Sequence, residues 1–553
     1  MKKSYLLLLA FLIIAGCSST KNTVESTKSN TENSTETTAE SEVDVEAKTA
    51  SEHWHHESGE NNSFLGIGTD KAYSELLSSK SPSKKVIVAI IDSGTDIEHE
   101  DLSGNIWVNK DEIAGNGLDD DENGYVDDVH GWNFIGGKNG ENVNHDTYEL
   151  TRIYVDLKKQ YEDKKASELT GEKLEEFRHY LEIKKEFEKE RAEAKASYDN
   201  IKQVKQAVDG AKNIFNVTSI DSVSDKELEL KSNDGPYRKQ AKQIIKYFRD
   251  LDVKESDIDE AYKQFDKMYN YAYNPEFNPR YIVGDNFDDL ENRYYGNNDV
   301  EGPRSDHGSH VAGIVGAVRN NELGMNGIAG NVSLMIVRAV PDGDERDKDV
   351  GNAIRYAVEN GADIINMSFG KSYSPRKFYV DEALKFADDN NVLVINAAGN
   401  SGENIDSTIN FPNKFYTNGG MMKNFITVGA SSWEGDSLIA AQFSNYGENV
   451  DLFAPGVDVY STTPDNTYKA NDGTSMASPV VAGAAALIMS YYPTLTASEV
   501  KMILLQSVSP IEQIVYRPGS DVAVPFSSLS STGGILNVYK ALMLAEMKTS
   551  GTN

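Results

Sequence analysis

Alternating apolar runs and helical segments constrain the fold of this chain more than any other feature. Residues 332–339, 363–370 and 392–398 form apolar runs, and segments with helical character fill 350–360 and 381–390 between them. An earlier run over residues 86–91 is continuously apolar. Buried parallel strands have this character, and helices make the crossovers between them. The pattern predicts an α/β fold with a mainly parallel sheet covered by helices.

A long charged stretch interrupts this pattern. Residues 145–290 are rich in charged residues with helical spacing, most clearly over 172–207. Ser224 and Ser256 are each followed three residues later by an acidic side chain, which is typical of helix starts. We therefore predict a helical subdomain inserted at 145–290.

The chain begins with the features of an exported protein. A basic start leads into a short apolar run that ends at Cys17, the only cysteine, so no disulfide framework exists within one chain. The residues before Cys17 resemble the lipobox of bacterial lipoproteins, which implies a signal peptide at 1–17 and a lipid-modified cysteine. The alternative is a plain signal peptide with a chance cysteine. The polar segment 18–60 is predicted to be a disordered tether, and 547–553 a C-terminal tail.

The balance of charge excludes some partners and favours others. The net charge is −32, from 87 acidic and 55 basic residues. This balance repels phosphate backbones, so nucleic acid is not an expected partner, whereas bound cations are. Solubility alone is the simpler explanation of the excess.

One acidic loop offers ligands suited to a hard cation. Its oxygen donors alternate along the chain, and Gly124 permits a sharp turn, as in the first half of an EF-hand loop. The predicted Ca²⁺ ligands are Asp119, Asp121, Asn123, the Tyr125 carbonyl, and Asp127 or Asp128. The bidentate glutamate of a complete EF-hand is missing, and a solvated acidic turn is the alternative.

Four polar residues stand where predicted elements begin or end. Asp92 follows the apolar run 86–91, Asn400 follows the run 392–398, and His307 and Ser475 open small-residue helices. A serine nucleophile needs a base, and that base needs an acid to fix its tautomer, so these residue types form a candidate catalytic set. Asp92, Asn400 and Ser475, each taken alone, also fit a turn or a helix cap. Pro479 is expected within the first turn of the helix that follows Ser475.

Three sequence blocks carry a family resemblance: AIIDSG at 89–94, HGSHVAG at 307–313 and GTSMASP at 473–479. With these blocks in this order, the chain resembles the subtilisin-like serine proteases, or subtilases, over 64–144 and 281–544. The resemblance implies a three-layer fold over 61–546, with helices on both faces of the sheet.

The resemblance also implies roles for individual residues. Ser475 would be the nucleophile, His307 the general base and Asp92 its orienting acid. Asn400 would complete the oxyanion hole. The segment Ser368, Phe369 and Gly370 would pair with an extended substrate backbone. The expected protein is a monomeric serine endopeptidase that cleaves proteins or peptides and is anchored by lipid at the cell envelope, with Ser18 compatible with outer-membrane sorting.

Two other functions remain open from the sequence. One is a catalytically inactive subtilase fold that binds a partner through the helical insertion, and the other is a structural protein of the cell surface. The intact candidate set argues against the first, and the lack of internal repeats argues against the second. His310 suggests a zinc pair with His307, but the resemblance makes it a packing residue. His53, His55 and His56 lie in a segment predicted to offer no fixed geometry.

Overall fold

The computed structural model describes residues 50–60 and 64–550, which divide into two compact units. The sheet unit comprises Ala50–Asp156 and the chain from Pro275 onward, and the helical unit comprises Leu157–Asn274. The predicted insertion at 145–290 is therefore too long at both ends. Cys17 and residues 18–49 lie outside the described residues.

The strands of the described chain are short and mostly buried. In chain order they are β1 Val86–Asp92, β2 Gly131–Asn133, β3 Val332–Arg338, β4 Ile364–Met367, β5 Leu393–Ala397, β6 Phe425–Ser431, β7 Leu452–Pro455, β8 Val459–Thr463, β9 Thr467–Asn471, β10 Ser509–Pro510, β11 Ile514–Tyr516, β12 Ala523–Pro525 and β13 Gly534–Ile535.

The α-helices differ widely in length. In chain order they are α1 Thr69–Lys71, which continues as a π-helix over Ala72–Leu77, α2 Glu149–Tyr161, α3 Glu172–Phe215, α4 Asp225–Leu228, α5 Pro236–Asp250, α6 Glu255–Lys267, α7 Arg280–Val283, α8 Asp306–Gly316, α9 Asp347–Glu359, α10 Lys377–Asp389, α11 Thr474–Tyr491, α12 Ala497–Gln506 and α13 Val538–Ser550.

A nine-stranded sheet organises the sheet unit. Its order is β10-β13-β7-β6-β5-β4-β1-β3-β2, and all neighbours are parallel except β10 and β13. Because successive residues of a strand face opposite sides, Val88 and Ile90 of β1 join one core and Ala89 and Ile91 join another. Helices α8 and α11 contribute to the first core, and α9 and α10 to the second. The predicted three-layer α/β fold is confirmed.

Helix α11 is the buried centre of the first core. It is long and apolar enough to cross a membrane, with mean hydropathy 1.3, but 89% of that window is buried inside the protein, as in a core helix. Pro479 lies well inside α11, at its sixth residue, so its predicted place in the first turn is wrong. The carbonyl that a proline leaves without a helical donor is that of the residue four positions earlier, here Ser475.

The predicted tether is wrong for residues 50–60. Trp54 is completely buried, and its indole N–H donates to the carbonyls of Val457 and Asp458 at 3.1 and 3.2 Å. His55 and His56 beside it are also buried. Burial of one large aromatic ring stabilises this short segment although its average composition is polar. The tail predicted from 547 is likewise wrong in part, because α13 continues to Ser550.

The helical unit has a core of its own. The long helix α3 packs against α5 and α6, and its Ile201, Val204 and Val208 are buried there. The helix start predicted at Ser224 is confirmed by its capping box before α4. The start predicted at Ser256 is wrong because the N-cap residue of α6 is Lys254, whose backbone N–H donates to Asp257 at 2.9 Å.

Candidate active site

The fold places the candidate residues at the ends of its central elements. Asp92 is the last residue of β1, which lies between β3 and β4. His307 and Ser475 are the second residues of α8 and α11. Gly308 permits the close approach of α8 to β1, because a Cβ there would lie 2.1 Å from the carbonyl oxygen of Gly94. Residues far apart in the sequence are thereby brought to the carboxyl edge of the sheet.

Asp92 and His307 form a direct pair. His307 Nδ1 lies 2.7 Å from Asp92 Oδ1, which also accepts the N–H of Ser93 at 2.7 Å. Asp92 is buried and His307 is partly exposed. Burial of the imidazole opposes its protonated form, but the charge of Asp92 and its hydrogen bond outweigh this and raise the pKa of His307. The pairing leaves Nε2 of His307 as the nitrogen that faces a reactant.

Ser475 is held through two of its oxygen atoms. Its Oγ donates to the carbonyl oxygen of Ser368 at 3.0 Å, and its own carbonyl accepts the Ser368 hydroxyl at 2.9 Å. Among the described residues, its hydroxyl makes no hydrogen bond to His307. Catalytic hydrogen bonds of free enzymes are often formed only in the complex with substrate. A cavity of about 230 Å³ borders Asp92, His307 and Ser368.

Asn400 lies beside Ser475 with its amide oriented by Thr474. Its Oδ1 accepts from the backbone N–H and the hydroxyl of Thr474, at 2.8 and 2.9 Å. These contacts leave the Nδ2 group as a free donor in the described structure, close to Gly473. Sequence reasoning assigned no role to Thr474, although its position next to Ser475 was a usable signal.

The three residues of the predicted substrate segment differ in their exposure to solvent. Ser368 is buried, Phe369 is half-buried and Gly370 is exposed. The Ser368 side chain points to Ser475, so only its backbone remains for a substrate. A second cavity of about 390 Å³ is lined by residues 396–398, just before Asn400, and by residues 409–417. Its wall at 396–398 belongs to the end of β5 and to the segment that leads to Asn400.

The acidic loop contains a compact group of carboxylates. Oxygens of Glu112, Asp119 and Asp121 lie within 4.8 Å of one another, and Glu112 Oε2 is buried without a partner in the described structure. Two further predicted ligands, Asn123 and Asp128, lie beside this group. Asn123 Nδ2 donates to Asp121 at 3.0 Å and to Asp128 at 3.1 Å. Glu112 lies outside the EF-hand-like spacing, so sequence reasoning missed it.

Asp127 and Asp128 have other roles in this loop. Both carboxylate oxygens of Asp127 accept backbone N–H groups of the turn at 115–117, so this side chain stabilises the turn. Asp128 accepts the Tyr356 hydroxyl at 2.6 Å, and burial raises its pKa to about 6. Tyr125 is buried, in edge contact with Trp132 and Tyr356.

Three of the histidines that suggested metal sites, His55, His56 and His310, are buried, whereas His53 is exposed. His310 is completely buried, and its Nε2 lies 2.9 Å from the carbonyl oxygen of Lys469. Burial lowers its pKa to about 4, so the ring is neutral near pH 7. His56 Nε2 lies 2.9 Å from the carbonyl oxygen of Asn326. In the described ranges, the grouped metal-ligand candidates are those of the acidic loop.

Comparison with known proteins agrees with this geometry. The model of the subtilase family of peptidases matches residues 83–522. Subtilisin DY of Bacillus licheniformis is 41% identical over 214 residues, which are 38% of this chain and 73% of the relative. Subtilisin NAT of Bacillus subtilis subsp. natto is 40% identical over 201 residues, which are 36% of this chain and 49% of that relative, or about half its length.

Solved structures include a similar protease of Pseudoalteromonas arctica PAMC 21717. It is 28% identical, and the match covers 45% of this chain and 78% of that one with a TM-score of 0.36. The family match, by contrast, spans most of the chain and all three motif blocks. The chain therefore belongs to the subtilase family of serine-type endopeptidases.

Proposed function

We propose that the protein hydrolyses peptide bonds of protein substrates with Ser475 as nucleophile, His307 as general base and Asp92 as its orienting acid. The observation that carries the proposal is the 2.7 Å contact between His307 Nδ1 and the buried Asp92 carboxylate. That contact keeps the Nδ1 proton in place, so Nε2 is the basic nitrogen. It also stabilises the imidazolium that forms when Ser475 loses its proton.

The oxyanion of the tetrahedral intermediate would be stabilised by two donors. Asn400 Nδ2 is one, because Thr474 holds the other end of the amide. The backbone N–H of Ser475 is the second, since the first N–H groups of a helix have no intrahelical partner. As the tetrahedral intermediate collapses and its C–N bond breaks, the proton held at His307 Nε2 passes to the leaving amine, and water then repeats the sequence on the acyl-enzyme.

Substrate binding would use the backbone of residues 368–370 and the larger cavity. The carbonyl of Ser368 lies next to the Ser475 hydroxyl, where it can accept an N–H group of an extended substrate. The cavity at 396–398 would then receive the side chain on the acyl side of the scissile bond. We propose general protein substrates, recognised mainly through the main chain.

The purified full chain tests this proposal. We expect it to bind one active-site-directed fluorophosphonate per molecule and to cleave casein. We expect Ser475→Ala to do neither at unchanged far-ultraviolet circular dichroism. A folded wild-type chain that neither labels nor cleaves would contradict the proposal and favour an inactive binding module.

We also propose a structural Ca²⁺ in the acidic loop. The residues fit such an ion: hard oxygen donors of Glu112, Asp119 and Asp121 converge, and a buried Glu112 oxygen lacks a partner. The ion would neutralise the carboxylates and brace the loop against the sheet unit. It would take no part in proton transfer at Ser475.

Removal of calcium is expected to lower the melting temperature. An ion that binds only the folded state contributes about 2.7 kcal/mol at 100 times its Kd, which corresponds to a shift of several degrees. Differential scanning calorimetry with EDTA and with added CaCl₂ measures it. Asp119→Asn should abolish the shift, whereas Glu122→Gln, an exposed acid of the same loop, should retain it. Equal shifts in both variants would contradict the site.

We further propose that the protein is exported and lipid-anchored at the cell envelope through Cys17. The support is the basic start, the short apolar run and the lipobox-like sequence before Cys17. Cys17→Ser is expected to move the protein from the membrane fraction to the soluble fraction and to abolish palmitate labelling. Membrane association and labelling that persist in Cys17→Ser would contradict lipidation at this residue, and Ser18→Ala serves as the control.

A further inference from the structure

The proline inside α11 creates a specific defect next to the proposed nucleophile. Pro479 has no N–H group, so the helical hydrogen bond from residue 479 to the carbonyl of Ser475 cannot form. This carbonyl belongs to the residue that would react. The first turn of α11 therefore lacks a normal helical restraint at that residue.

Ser368, the first residue after β4, supplies the missing donor, and Asn366 of β4 holds the Ser368 hydroxyl. The Ser368 hydroxyl donates to the Ser475 carbonyl oxygen at 2.9 Å, and Asn366 Nδ2 donates to the same hydroxyl at 3.0 Å. Asn366 Oδ1 in turn accepts the Ser478 hydroxyl at 2.8 Å. The hydrogen bonds thus form a short chain that starts and ends on the first turns of α11.

The members of this chain are shielded from water. Asn366 and Ser478 are completely buried, and Ser368 is 3% exposed. A buried carbonyl without a donor costs about 1–3 kcal/mol, so the Ser368 hydroxyl has a clear energetic role. Asn366 restricts that hydroxyl, because its own donor occupies one Ser368 lone pair and leaves the proton for Ser475.

We propose that Ser368 and Asn366 form a positioning device that replaces the helical bond lost at Pro479 and thereby fixes Ser475 for reaction. The inference rests on the proposed function of Ser475. Loss of the device would let the first turn of α11 tilt, which would displace both the Ser475 hydroxyl and the Ser475 N–H of the oxyanion hole. Misplacement of this kind lowers the rate of the chemical step more than it weakens substrate binding.

A double-mutant cycle with Pro479 tests this device. Ser368→Ala is expected to lower kcat, measured per fluorophosphonate-labelled site, about 10-fold while KM changes less than about 3-fold. In the Pro479→Ala background, residue 479 regains an N–H that can donate to the Ser475 carbonyl, so the same substitution should lower kcat less than about 3-fold. Ser368→Thr keeps a hydroxyl and should retain most of the wild-type kcat.

Two further variants separate positioning from general destabilisation. Ser490→Ala removes another buried hydroxyl of α11 that donates to a backbone carbonyl, that of Leu487 at 2.8 Å, and should leave kcat unchanged with no coupling to Pro479. Asn366→Asp presents only acceptors to Ser368 and should draw its proton away from Ser475, which reproduces the Ser368→Ala result. It replaces Ser368→Ala in the cycle if that variant does not fold.

The outcomes distinguish this inference from the proposed function. In an enzyme that still depends on Ser475, an unchanged kcat in Ser368→Ala would overturn the positioning device. An equal loss of kcat from Ser368→Ala in the wild-type and Pro479→Ala backgrounds would overturn it as well. A wild-type chain without Ser475-dependent cleavage would instead overturn the proposed function.

Discussion

Replacement of Ser475 by alanine is expected to lower kcat by about 10⁶-fold, the size of the effect when the catalytic serine is removed from subtilisin, a member of the same family. The reason is that no acyl-enzyme can form without the Ser475 hydroxyl, from which His307 would take the proton. Residual turnover reflects only binding and oxyanion stabilisation by the remaining groups.

The measurement is the initial rate of cleavage of a fluorogenic peptide, with thermal unfolding recorded on the same preparation. The melting temperature should change little, because the Ser475 hydroxyl makes a single hydrogen bond, to the Ser368 carbonyl. Ser490→Ala, with a buried hydroxyl on the same helix, is the matched control and should keep its activity. A Ser475→Ala protein with more than about 1% of wild-type kcat would assign the nucleophile elsewhere.

Asn400→Ala is expected to lower kcat by about 10²–10³-fold with little change in KM. This is the loss known for an oxyanion-hole asparagine of subtilisin, and we transfer it because Asn400 Nδ2 is free while its Oδ1 is held by Thr474. In the proposed mechanism the donor would act on charge that develops only when Ser475 attacks, so the effect is expected in the chemical step.

Asn400→Asp separates this role from simple support of Thr474. The aspartate keeps an oxygen for the Thr474 N–H and hydroxyl but replaces the donor with a negative oxygen. We expect it to be at least as inactive as Asn400→Ala. High activity of the aspartate variant would mean that Asn400 matters only through Thr474. Single-turnover kinetics with an ester substrate measure the acylation step directly.

The sequence predicted the sheet and its edge well because both depend on local patterns. Apolar runs identified β1, β3, β4 and β5, and the residues at the ends of these runs mark the carboxyl edge of the sheet. Pairing of Asp92 with His307 required the approach of α8 to β1, which spacing along the chain does not encode. Thr474 and Glu112 were missed for the same reason, since their roles depend on neighbours distant in sequence or outside a motif.

The predicted boundaries of the insertion are wrong where tertiary contacts bury residues that are charged and would be expected at the surface. The charged composition of residues 145–156 predicts that they belong to the insertion. Instead, Asp146 pairs with Arg346 at 2.7 Å and Glu149 with Lys371 at 2.8 Å, and all four side chains are buried in the sheet unit. Ion pairs bury charged residues that composition assigns to a surface. Pro479 was predicted in the first turn because a proline further inside a helix leaves one carbonyl without a donor. Here that carbonyl belongs to Ser475, and the Ser368 hydroxyl donates to it.

Trp54 can serve as an intrinsic fluorescent probe of the sheet unit. The chain has four tryptophans, and this one is completely buried and hydrogen-bonded to residues more than 400 positions later in the chain. Release of residues 50–60 would transfer its indole from an apolar environment to water and shift its fluorescence emission to longer wavelength. Attachment of the N-terminal segment can therefore be followed spectroscopically and separately from catalysis.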